Sequence, residues 1–221
     1  MQRYPLSMHH DLVLFDLDGT LSDPLEGIGR SINYALSHFG YQPLALADLA
    51  TYVGPPLDET FNAITGGRMA SEVTALVTKF RERYADVGYS ENKLYPGIIE
   101  ALEALRAANT PMAVCTSKRR DFAEKILTMF GLIQHFRFID GGEIGTHKWQ
   151  QIAVLLSQGK VSKSSIMVGD RSVDMIAAHR NGLKAAGVLW GYGSLAELSN
   201  EMPARLFSSP SELMDLANGR G

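Results

Sequence analysis

The chain has 221 residues, 45% hydrophobic and 20% charged, with a formal net charge of −3. That balance suits a folded domain, or a core with a modest insertion, and excludes the strongly basic footprint of a nucleic-acid binder. One cysteine, Cys115, excludes an internal disulfide and a cysteine-based zinc site, and no apolar run approaches the roughly 18 residues needed to span a bilayer. Residues 1–10 lack the apolar stretch of a signal peptide. The expectation is therefore a cytoplasmic protein with no membrane partner and no nucleic-acid polymer partner, plausibly a monomer. His9-His10 reads as a solvated pair in a polar lead-in.

The first predicted element is Leu12-Val13-Leu14-Phe15, an apolar run closed by Asp16 and Gly19, the pattern of a central parallel strand buried on both faces. From Ser22 to about Asn92 the pattern is helical, with no convincing strand. Residues 24–39 place Ile28, Ile32, Ala35, Leu36 and Phe39 on one stripe, and 57–64 and 69–86 also read as helices. Roughly 70 residues is too long for one strand-to-strand crossover, so a small helical domain inserted after the first strand is expected. Beyond it, strands at 112–115, 138–139, 166–168, 185–189 and 204–207 alternate with helices at 98–108, 121–130, 149–158 and 173–181. Ile98, Leu102 and Leu105 draw one apolar stripe, and Gly131 and Gly182 fall where helix C-caps favour glycine. The predicted fold is α/β: a Rossmann-like parallel sheet with helices on both faces, plus an inserted all-helical domain. The predicted boundaries are 1–22 and 90–221 for the core and 23–89 for the insertion.

Three strands end in polar residues that a buried strand does not need. They are Asp16-Leu17-Asp18-Gly19-Thr20, Thr116-Ser117-Lys118, and Gly169-Asp170-Arg171-Ser172-Val173-Asp174. Ligands of open parallel sheets bind beyond the carboxyl ends of the strands. If these strands are neighbours, Asp16, Asp18, Asp170 and Asp174 crowd one volume. Two carboxylates ~4 Å apart repel by about 4 kcal/mol at an effective dielectric near 20. Such a cluster needs a cation or raised pKa values, and an all-oxygen anionic site suits Mg²⁺. In strict strand geometry Asp16 and Asp18 would face the same side, and Gly19 permits a sharp turn just after them.

These motifs, in this order, resemble those of the haloacid dehalogenase superfamily of phosphohydrolases. The first is Asp16-Leu17-Asp18-Gly19-Thr20-Leu21, the second falls on Thr116, the third on Lys148, and the fourth is Gly169-Asp170-Arg171-Ser172-Val173-Asp174. The segment from Gly187 to Ser194 looks like the phosphoglycolate phosphatase and nucleotidase branch. The resemblance implies that Asp16 is the nucleophile and forms an aspartyl-phosphate. It implies that Asp18 is the general acid and base. Mg²⁺ would be held by Asp16, the carbonyl of Asp18, and Asp170, with Asp174 nearby or acting through water. Thr116 and Lys148 would bind phosphoryl oxygens, with Gly19, Ser117 and Lys118 also at the phosphate. The insertion would be a cap whose Gly54-Pro55 loop helps choose the leaving group. The second aspartate argues against haloacids, because halide needs no proton. The implied partner is a small phosphate ester: a nucleoside 5′-monophosphate first, 2-phosphoglycolate second. A phosphomutase carries the same motifs.

Many relatives follow the third-motif lysine with proline, whereas this chain has Lys148-Trp149, so Lys160 and Lys163 are rival candidates. Lys148 is preferred because it opens a helix with Ile152, Leu155 and Leu156 on its apolar face. Of the insertion aromatics Tyr34, Phe39, Tyr52, Phe61, Phe80 and Tyr84, most are expected in its core. Trp190 and Tyr192 are expected to pack, and Arg119 and Arg120 to be solvated. A cysteine phosphatase needs arginine six positions after the cysteine, where Asp121 stands. Gly159-Lys160 is followed by valine and makes no phosphate-binding loop, and Gly27-Ile28-Gly29 lacks the third glycine of a dinucleotide fingerprint.

Overall fold

The computed structural model describes residues 10–143 and 145–217. In chain order the elements are β1 (Val13–Phe15), β2 (Ser22–Asp23), α1 (Leu25–His38), α2 (Leu46–Leu49), α3 (Leu57–Thr65), α4 (Ala70–Asp86), β3 (Lys93–Leu94), α5 (Ile98–Ala107), β4 (Met112–Thr116), α6 (Arg120–Met129), β5 (Ile139–Gly141), α7 (Lys148–Ser157), β6 (Ile166–Gly169), α8 (Ser172–Arg180), β7 (Lys184–Val188), α9 (Leu195–Asn200) and β8 (Arg205–Phe207). They form two compact units, one of residues up to Leu21 and from Tyr95 onward, the other of Ser22–Leu94.

The first unit is built on a six-stranded sheet of order β5-β4-β1-β6-β7-β8, parallel at every pairing. β1 lies between β4 and β6, with Phe15 level with Val114 and Val168. Side chains alternate across a strand, and here both sets are buried. Leu14, Ala113, Cys115, Met167 and Ala185 join Ile152 and Leu155 of α7 and Met175 and Ala178 of α8 in one core. Val13, Phe15, Val114, Ile166 and Val168 are buried on the opposite face, where Phe15 meets Phe136 edge-on at 6.5 Å. The predicted α/β sheet is therefore the observed one, with small shifts: the third strand of the sheet runs Ile139–Gly141 rather than 138–139, and a helical turn at α9 was not anticipated.

The second unit packs α1 against α4, with α3 beside α4. Ile32, Ala35 and Leu36 of α1 are fully buried. Its glycines also face neighbours: a Cβ on Gly27 would stand 2.0 Å from the Gly88 carbonyl oxygen. Phe61, Phe80 and Tyr84 fill the interior, Phe80 and Tyr84 stacked at 5.4 Å, whereas Tyr34 and Phe39 are exposed. Phe39 lies beyond the last helical residue, so the stripe no longer turns it inward. The interval expected to lack strands, Ser22 to about Asn92, opens on one short strand, β2, which pairs antiparallel with β3 just beyond its end, Ser22 with Leu94 and Asp23 with Lys93. Two-residue strands leave no periodicity to read. His10 is buried rather than solvated; His9 lies outside the described residues. Among the described residues no helix is long and apolar enough to cross a membrane.

Candidate active site

All parallel strands of the sheet point their carboxyl ends one way, so the segments after β1, β4 and β6 meet. β1 stops at Phe15. Asp16 and Asp18 are thus not both on the strand, as strict alternation would have had them. The Asp16 amide still donates to the Val168 carbonyl (2.9 Å), which holds its side chain at the β1/β6 seam. Leu17 is buried between the two acids, and they meet different lysines. Lys148 Nζ stands 3.0 Å from Asp16 Oδ1 and also pairs with Asp174 Oδ1. Lys118 Nζ stands 2.7 Å from Asp18 Oδ2.

Asp16, Asp170 and Asp174 are buried, and one oxygen from each lies within 4.8 Å of the others. Asp170 and Asp174 have no exposed surface at all. Glycines make this convergence sterically feasible. Gly19 has φ +83°, and a Cβ there would stand 2.1 Å from Asp170 Oδ2. A Cβ on Gly169 would stand 2.2 Å from Asp174 Oδ2. Each carboxylate is also tied to backbone: Tyr192 N–H donates to Asp170 Oδ2 (2.8 Å) and Arg171 N–H to Asp174 Oδ2 (3.1 Å), the latter closing the first turn of α8.

Burial and mutual repulsion shape the protonation. Burial, reinforced by Asp174 and Asp16, pushes Asp170 up to about 8. Burial raises Asp174 to about 6 against the pull of Lys148. Burial raises Asp18 above the usual carboxylate range, opposed by Lys118. Burial alone would lower Lys148, but Asp16 and Asp174 outweigh it and hold the ammonium charged well beyond its ordinary range. Four carboxylates thus face two ammonium groups, and Asp18 Oδ1 is buried without a hydrogen-bond partner among the described residues. An all-oxygen donor set with surplus negative charge fits a hard divalent cation such as Mg²⁺.

Thr116 ends β4, buried, and its Oγ1 accepts from Lys118 N–H (3.2 Å). Ser117 is exposed at the same edge, while Arg119 and Arg120 are solvated and pair with Asp121 and Glu124. Lys160 and Lys163 are exposed, so of the three rival lysines it is Lys148 that meets the carboxylates. Gly54 and Pro55 lie in the helical unit, between the turn at Ala50–Tyr52 and α3. Cys115 is sealed in the core, its thiol pushed by burial up to about 12.

Sequence reasoning passed over two supports. Gln151, one turn after Lys148, donates to the Thr116 carbonyl (3.2 Å) and to Asp140 (3.1 Å). Trp190, expected merely to pack, donates its indole N–H to the Thr20 carbonyl (3.0 Å). The glycines flanking Tyr192 were the available signal for close backbone approach there; nothing in the sequence marked Gln151.

A doubly wound sheet whose carboxyl edge gathers aspartates from two adjoining strands around a buried lysine is suited to holding a divalent cation beside a phosphate group. Residues 13–188 match the model of the haloacid dehalogenase-like hydrolase family, and the chain belongs to that family. It is similar to a 5′-nucleotidase of Pseudomonas aeruginosa, 40% identical over 201 residues that cover 89% of this chain and 90% of that protein. A phosphoglycolate phosphatase of Aquifex aeolicus is 33% identical over 217 residues, 93% of this chain and 95% of that one. The solved structure of protein tyrosine kinase A of Mycobacterium tuberculosis superposes with a TM-score of 0.81 at 33% identity, covering 95% of this chain and 99% of that chain. The family and its phosphatase members make this chain an enzyme of the phosphoric monoester hydrolase class.

Proposed function

We propose that the enzyme hydrolyses small phosphate monoesters through an aspartyl-phosphate on Asp16, with Mg²⁺ at the acidic cluster, and that nucleoside 5′-monophosphates are its preferred substrates. The observation that carries the reading is the convergence of Asp16, Asp170 and Asp174 within 4.8 Å, with Lys148 beside Asp16. Bound Mg²⁺ supplies charge compensation between the attacking carboxylate and the phosphate dianion. Asp16, the Asp18 carbonyl and Asp170 would hold it, with Asp174 behind them gripping Lys148.

In the first step a carboxylate oxygen of Asp16 bonds to phosphorus and the bond to the ester oxygen breaks. Asp18 delivers its proton to that leaving oxygen, and its raised pKa suits a proton carrier. In the second step Asp18 takes a proton from water, whose oxygen attacks phosphorus and releases phosphate and the Asp16 carboxylate. Thr116 and Lys148 hold the phosphoryl oxygens, assisted by Gly19, Ser117 and Lys118. The family resemblance supports a cap role for the helical unit, with its Gly54-Pro55 loop helping to choose the leaving group. The nucleotide preference is supported by the 5′-nucleotidase relative; the phosphoglycolate phosphatase relative supports a second reading, 2-phosphoglycolate. A panel of phosphate esters assayed with Mg²⁺ and with EDTA decides between them. Nucleotide turnover well above phosphoglycolate turnover, lost in EDTA and restored by Mg²⁺, is expected. An alcohol acceptor in the same assay separates hydrolysis from phosphoryl transfer, the activity in the name of the mycobacterial relative.

A further inference from the structure

We propose that residues 190–193 form a strap that fixes the separation of the two acidic loops and thereby sets the size of divalent cation the cluster prefers. The inference rests on reading that cluster as the cation site. The strap leaves the end of β7, which is separated from β1 by β6. It therefore passes over the end of β6 to reach the loop after β1, a span of two strand spacings, about 10 Å. At its far reach the Trp190 indole N–H donates to the Thr20 carbonyl at 3.0 Å, in the loop that carries Asp16 and Asp18. Two residues on, the Tyr192 amide donates to Asp170 Oδ2 at 2.8 Å.

Gly191 between them is wedged against both loops. A Cβ there would stand 2.3 Å from the Gly19 carbonyl oxygen and 2.4 Å from Asp170 Cβ. A Cβ on Gly193 would stand 1.9 Å from the Asp170 carbonyl oxygen. One short segment thus bonds to the Asp16 loop at one end and to Asp170 at the other, with no slack for a methyl group.

Mg²⁺ takes oxygens at about 2.0–2.1 Å in near-ideal octahedral geometry, whereas Ca²⁺ accepts about 2.3–2.6 Å and irregular shells. A clamp that keeps the loops close favours the smaller ion, and loosening it costs that ion more. Partners behind metal ligands typically govern about 10–100-fold in affinity.

The test is calorimetric titration of Mg²⁺ and, separately, Ca²⁺ into wild type, Trp190→Phe and Gly191→Ala, with circular dichroism to verify folding. Trp190→Phe keeps an aromatic side chain while removing the indole donor together with its five-membered ring, so it decides the matter if Gly191→Ala fails to fold. We expect Mg²⁺ affinity to fall about 10-fold, with a clearly smaller loss for Ca²⁺, so the ratio of the two constants shifts. Equal losses for both ions, or no loss in folded Trp190→Phe, overturn the strap while leaving the cation site standing. Wild type that binds neither ion overturns the cation site and the strap with it.

Discussion

Asp16 and Asp18 are two positions apart and face different lysines, and the proposed mechanism gives them different work. Asp16→Asn should leave a folded protein whose turnover drops at least about a thousandfold, since the nucleophile is gone; steady-state rates beside a thermal melt check this. Asp18→Asn should cost about 10²–10⁴-fold on alkyl phosphates, and much less on p-nitrophenyl phosphate, whose leaving group needs no proton. Equal losses on both ester types would remove Asp18 from the acid role. Cys115, at about 12 and sealed by burial, should resist iodoacetamide at pH 8 in the native protein and react once guanidinium unfolds it, as followed by mass spectrometry. Asp16, Thr116 and Asp170 were legible because each follows an apolar run with a charge or hydroxyl that a strand does not require, and Lys148 because it opens a helix with an apolar face. Gln151 was not: a buried amide on an amphipathic helix looks the same in sequence whether it braces Thr116 or faces solvent.

The helices gain their positions from the strand ends they follow. α8 begins where Arg171 N–H meets Asp174 and Ser172 N–H meets Glu197 Oε1 (2.8 Å), so one carboxylate within the turn and one from α9 satisfy its first donors. Glu197→Gln should cost about 1 kcal/mol in denaturant unfolding. Gly169→Ala should do more, because its Cβ would overlap the Asp174 carboxylate. Sheet strands and long amphipathic helices were readable from periodicity. The pairing of β2 with β3 was not, because Ser22-Asp23 and Lys93-Leu94 are joined by backbone bonds that no side-chain pattern advertises.

Across the molecule the acidic cluster links stability to pH. Asp170 at about 8 and Asp174 at about 6 lie above the ordinary value of 3.8. Raised values mean that the stability these groups carry is complete below about pH 4 and is lost as pH climbs through 6 and then 8. In EDTA the melting temperature should therefore fall between pH 5 and pH 8. Added Mg²⁺ should raise it more at pH 8, where fewer protons compete for the oxygens. A scanning fluorimetry series over both conditions checks the sign; a melting temperature that rises with pH in EDTA would show that the cluster carries no such burden. The α/β class was legible from the alternation of elements, while the choice among substrates was not, because the motifs at the strand ends would meet the same phosphate group in either proposed ester.

β1 has hydrogen-bonded neighbours on both sides, whereas β5 and β8 each have one. Its amides should accordingly be among the last to exchange with deuterated solvent, and fraying of the sheet margins should proceed without disturbing the carboxylate at its tip. Heating should then extinguish turnover in one sharp event shared with global melting, with no earlier phase in which an intact-looking protein has already lost its chemistry.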